Sequence, residues 1–100
     1  MIRVLVLYPN IEGKKFDLEY YKNTHIPLVK DRLTPIKLEF DLGIDRVENP
    51  APYKAVTHMV FESLEDLNSK YKIHGKELND DKQKFTDLEL VFQISDIIEI

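Results

Sequence analysis

The sequence predicts an α+β fold, four strands and two helices in the order β-α-β-β-α-β, and three observations carry that expectation. Residues 2–8 and 53–62 are β-rich apolar runs. Each is followed by a capping residue and an apolar stripe at helical spacing. Two further apolar segments, within residues 37–44 and 87–95, fall where a split β-α-β pattern places its partner strands. Together they give the ferredoxin-like arrangement, a single four-stranded antiparallel sheet with two helices.

The first strand, Ile2-Arg3-Val4-Leu5-Val6-Leu7-Tyr8, stops at Pro9-Asn10, and Gly13 marks a turn. Asp17 reads as a helix N-cap, with Glu19 in the first turn where the macrodipole favours an acid. Behind it Leu18, Tyr21, His25, Val29 and Leu33 recur at helical spacing. Pro27 has no N–H for the carbonyl of Asn23 and is expected to kink that helix near His25. A loop through Glu48-Asn49-Pro50-Ala51-Pro52 separates the second and third strands. Ser63 caps the second helix, with Glu65 and Asp66 in its first turn. Its inner face is expected to be Leu64, Leu67, Tyr71, His74 and Leu78. Residues 79–84 are polar and read as a loop, and residues 96–100 extend the last strand.

Composition narrows the function classes. Residues 1–100 hold one domain, with 43% hydrophobic and 32% charged residues, as a globular chain requires. There is no Cys, so disulfides, thiolate metal sites and a Cys nucleophile are out. Three glycines leave neither a P-loop nor a G-x-G-x-x-G fingerprint. His25, His58 and His74 have no metal-ligand spacing, so neither metal nor organic cofactor is expected. Acids outnumber bases 18 to 14 with no basic, aromatic-interleaved stretch, which argues against nucleic acid as a partner. No apolar run is long enough for a membrane span or a signal peptide, so a cytoplasmic, membrane-free protein is the expectation.

The first strand presents Ile2, Val4, Val6 and Tyr8 on one face and Leu5 and Leu7 on the other; the third sets Ala55, Met59 and Phe61 against Val56 and Val60. Two helices cover one face only. The other is expected to be covered by a second copy, sheet against sheet, giving a homodimer.

The chemistry-bearing segment is Phe16-Asp17-Leu18-Glu19-Tyr20-Tyr21-Lys22-Asn23-Thr24-His25-Ile26-Pro27-Leu28. With Leu7-Tyr8-Pro9, the Pro52-Tyr53 strand entry, His58, Phe61, Ser63-Leu64-Glu65 and the 86–95 segment, it resembles the EthD-like family, named for ethyl tert-butyl ether degradation. The F-D-x-x-Y-Y-x-x-x-H-x-P-L pattern is the specific part, and the likeness runs from about Val4 to Ser95. The resemblance implies a dimeric α/β barrel of two ferredoxin-like subunits. Similar barrels include cofactor-free monooxygenases, cyclases, dehydratases and isomerases acting on small, often aromatic molecules. Ile73 before His74, and a Lys- and Asp-rich second helix, depart from the family pattern.

Candidate site residues follow. His25 shares a stripe with Tyr21 and faces the sheet; it is either a proton carrier, since imidazole titrates near neutrality, or a cap for the carbonyl that Pro27 leaves free. Tyr21 either orients a ligand or is core aromatic with a polar tip. His25 and Tyr21 are the catalytic candidates. His58, Gln93 and Tyr53 are the ligand-binding candidates, with His58 and Gln93 lining either a cavity or the dimer interface. His74 reads as packing, and Lys14-Lys15 and Asp80-Asp81 as solvated turns. The expected protein is a small homodimer converting or binding a small apolar or aromatic ligand by oxygenation, dehydration or isomerisation. The alternative is a non-catalytic binding or accessory protein of an oxidative catabolic system.

Overall fold

The computed structural model describes residues 1–100. Strands β1 (Ile2–Pro9), β2 (Lys37–Leu42), β3 (Tyr53–Phe61) and β4 (Val91–Asp96) form one antiparallel sheet in the order β2-β3-β1-β4. Helix α1, residues 18–33, follows β1, and helix α2 (Leu64–Lys82) follows β3. The fold is therefore the ferredoxin-like α+β arrangement that the element order predicts.

Register assigns every strand residue to a face. Leu5 pairs with His58 on one side and Gln93 on the other, and Glu39 pairs with His58, so these four form one row on one face. The opposite face carries Ile2, Val4, Val6 and Tyr8 from β1 and Ala55, Thr57, Met59 and Phe61 from β3, all buried under the helices. Tyr21, Val29 and Leu33 from α1, Leu67 and Leu78 from α2, and Phe85 and Leu88 complete that core.

Both helices start as their caps predict. The Asp17 carboxylate accepts from the Tyr20 N–H at 3.1 Å, and Ser63 Oγ accepts from the Asp66 N–H at 3.1 Å. Gly13 supplies the left-handed turn between β1 and α1, at φ +84°.

Four local expectations change. Helix α1 does not stop for Pro27: a π-turn over Tyr21–His25, closed by Ile26 N–H to the Tyr21 carbonyl, precedes an α-helical segment, Ile26–Leu33, with Pro27 in its first turn. Proline is tolerated there because the π-turn just before it shifts the backbone hydrogen-bond register by one residue, with Ile26 N–H reaching back to Tyr21 instead of Lys22. Residues 79–82 are helix, not loop, because Asp81 continues the inner stripe of Leu78 and finds buried partners. The expected solvated turn at Asp80-Asp81 is thus wrong for Asp81, which is 6% exposed. Lys15 is tied down as well: its N–H donates to Asp87 Oδ1 at 2.7 Å, and its carbonyl accepts from Thr86 Oγ1 at 2.5 Å. The last strand is shorter than residues 87–95 at its start, since 86–90 run across the core edge before Val91.

Candidate functional site

The site grows from the π-turn of α1. Tyr21 and His25 bracket it, and both side chains turn toward the sheet with their rings stacked, centroids 5.8 Å apart and planes 19° apart. Phe85 packs against both rings, 4.6 Å from His25 and 5.0 Å from Tyr21. His25 is 6% exposed, so its polar atoms need partners.

Helix α2 supplies one. His25 Nδ1 lies 2.8 Å from Asp81 Oδ2, and the other Asp81 oxygen accepts from the Tyr20 hydroxyl at 2.6 Å. Burial, the larger effect, lowers the His25 pKa from its ordinary value, while Asp81 opposes that shift. Burial alone would raise the Asp81 pKa, but its hydrogen bonds from Tyr20 and His25 outweigh it and hold the carboxyl below the ordinary range. Near neutral pH the pair is therefore neutral imidazole and carboxylate. Nδ1 carries the proton toward Asp81, and the Nε2 lone pair is free. No protein group bonds Nε2, and no buried side-chain nitrogen or oxygen lacks a partner. Nε2 accordingly opens to accessible space.

That space is a cavity of about 70 Å³ between the helices and the sheet. Val6, Val29, Leu33, Met59 and Leu78 make its walls apolar, and Tyr8, Tyr21, Thr57 and His25 are its inner polar groups. Tyr71, Asn79, Lys82 and Phe92 also line it, and the partial exposure of Tyr71 and Phe92 puts its mouth toward the β4 edge. A preformed site for a drug-sized ligand takes roughly 300 Å³ or more. An occupant here is either small or reaches out through the mouth.

The structure brings two of the five sequence candidates, His25 and Tyr21, to this cavity and sets the other three elsewhere. His58 lies on the opposite face of the sheet, with Nε2 2.6 Å from Asp41 Oδ2. Gln93 is on that same face and donates to Ser95 Oγ at 3.0 Å. Tyr53 lines a separate hollow of about 300 Å³ with Phe16, Leu18 and Leu42. A single pocket holding His25, Tyr21, His58 and Gln93 is not formed, because the sheet itself lies between the pairs. His74 is half-buried on α2 and does not line the cavity.

Sequence reasoning missed Asp81 and Tyr8. Both had a signal: Asp81 stands three residues after Leu78 on the inner stripe, and Tyr8 alternates with Val4 and Val6. No group of three or more His, Asp or Glu side chains is placed to hold a metal ion. No helix is long and apolar enough to cross a membrane.

Comparison with known proteins places these features. The family model for the EthD domain matches residues 12–89. An EthD-like protein from Ralstonia eutropha JMP134 is 31% identical, with a TM-score of 0.91 over 98% of this chain and 92% of that one. An ethyl tert-butyl ether degradation family protein from Bacillus halodurans C-125 is 22% identical, with a TM-score of 0.78 over 98% and 99%. A dimeric protein of unknown function and ferredoxin-like fold from Bacteroides fragilis is 10% identical, with a TM-score of 0.63 over 96% and 95%, a likeness of fold alone. No curated protein matches the sequence.

Proposed function

This chain belongs to the EthD domain family, and from that premise we propose that it acts as a cytoplasmic homodimer that binds a small, largely apolar or aromatic molecule in the His25 cavity and moves a proton on it. The observation that carries this reading is the His25–Asp81 pair. A buried imidazole is held by a carboxylate at Nδ1 while Nε2 faces an apolar space. That is how a general base is arranged: the carboxylate fixes the tautomer and stabilises the imidazolium that forms. Among oxygenation, dehydration and isomerisation, the pair supports the two whose central step is a proton transfer, dehydration and isomerisation. Tyr21 holds the imidazole in place by stacking.

The homodimer rests on the second face of the sheet. Leu5, Leu7, Val56 and Val60 stand at its centre, flanked by Arg3, Glu39, Asp41, His58 and Gln93. An apolar stripe with a polar rim is the anatomy of an interface between copies. His58 and Gln93 then belong to that interface and not to the cavity, and the dimeric state of the Bacteroides relative is consistent with it.

Imidazole-region NMR spectra with toluene as the probe test the cavity reading. Toluene should shift the His25 signals and leave those of His74 in place. Unshifted His25 signals at saturating toluene would remove the cavity from the proposal.

A further inference from the structure

The cavity holds a polar group that proton transfer by His25 does not use. Tyr8 is 2% exposed, yet its hydroxyl donates to no protein acceptor. The Tyr21 hydroxyl is bonded to Thr57 Oγ1, while the Tyr8 ring packs edge-on against that of Tyr21, centroids 5.5 Å apart. The Tyr8 oxygen has no hydrogen-bond partner in the protein, and no buried side-chain oxygen is without one, so this hydroxyl too reaches accessible space, and Tyr8 lines the same cavity as His25. Burial raises the pKa of both phenols, so they stay protonated donors at any physiological pH. One apolar cavity therefore offers a bare basic nitrogen and a neutral O–H donor.

We infer that the substrate is a small carbonyl compound with a C–H bond next to the carbonyl, held by Tyr8 at its oxygen and deprotonated by His25 Nε2. The inference rests on the cavity reading above and adds the class of molecule. The step balances without a co-reactant. Nε2 takes the α-proton, the C–H electron pair becomes the C=C bond, and the carbonyl π pair moves to oxygen. The Tyr8 O–H stabilises that developing charge by hydrogen bond, as an oxyanion donor does, and keeps its proton. The imidazolium, stabilised by Asp81, returns a proton to the same carbon or to another. The net result is exchange or a double-bond shift.

Cyclohexanone, a carbonyl on an apolar ring, is the probe. In D2O the parent should replace the α-protons with deuterium faster than buffer alone, read by loss of their NMR signal. His25→Gln should abolish the acceleration. Tyr8→Phe, which removes one oxygen, should slow it by about 100-fold, the usual loss on removing one such donor. It should leave the His25 titration unchanged. Carbonyl-labelled cyclohexanone gives a second reading on the parent itself: its carbon resonance should move downfield on binding, as a hydrogen-bonded carbonyl does. Exchange at the parent rate in Tyr8→Phe, no acceleration by the parent, or an unmoved carbonyl signal would each overturn the carbonyl assignment. The cavity reading survives any of these so long as toluene still shifts His25.

Discussion

At the residue scale, the His25–Asp81 pair sets how the protein answers acid. The folded state resists protonating His25, whereas the unfolded chain binds that proton near an ordinary pKa of about 6.5. More protons bound by the unfolded state means stability falls as pH drops below about 6.5, until the folded value is reached. Asp81, whose carboxyl is held low, adds a loss of the same sign below about pH 4. Urea unfolding at pH 7.5, 6 and 5 should show a shallower decline in His25→Gln than in the parent; equal slopes would place the acid sensitivity elsewhere. Asp81→Asn removes the group that holds the imidazole's proton affinity up. The His25 pKa, followed by NMR, should then fall below its value in the parent. His74→Gln, away from the cavity, should change neither the toluene response nor the His25 titration.

At the scale of elements, the site depends on where α1 and α2 begin and on how α1 turns. The π-turn at Tyr21–His25 keeps the helix continuous up to Pro27 while presenting both rings to the sheet. Such turns are frequent at functional sites. Helix α2 carries Asp81 at its far end, so its cap at Ser63 acts on the site only through the stability of the whole helix. Ser63→Ala should cost about 1 kcal/mol in urea unfolding and leave the His25 pKa in place. Gly43 ends the β2–β3 hairpin against backbone: a Cβ there would lie 2.2 Å from the Tyr53 carbonyl oxygen. Gly43→Ala must shift one strand end and should destabilise by roughly 1–3 kcal/mol, the range for overpacking. A neutral effect would show that this end of the hairpin moves freely.

At the scale of the whole molecule, the sheet has one covered face and one open face. The helices bury β1 and β3 on one side, while Phe92 and Ile94 of β4, on the same side, stay 42% and 44% exposed. No helix packs on the second face, where Val60 is buried and Leu5, Leu7 and Val56 stay half-buried. Sedimentation at micromolar concentration should give about twice 11.8 kDa. A monomer at that concentration would remove the interface from the functional reading.

The sequence by itself determined the element order, both helix caps, the faces of β1 and β3, and the membership carried by the Phe16–Leu28 motif. These are local or periodic properties, written in neighbouring residues: Ser63 caps because of the N–H groups just behind it, and Val4 and Val6 share a face because strands repeat every two residues. Tertiary structure decided the partnerships. Asp81 reads as a solvated acid beside Asp80 until α2 packs against α1 and brings it to His25, 56 residues away in sequence. His58 and Gln93 read as companions of His25 until the register sets them across the sheet from it. Tyr8 reads as the last apolar residue of a strand until packing places it in the wall of the His25 cavity. Such pairings depend on which faces meet when elements pack, and hydrophobic periodicity fixes a face without fixing its partner.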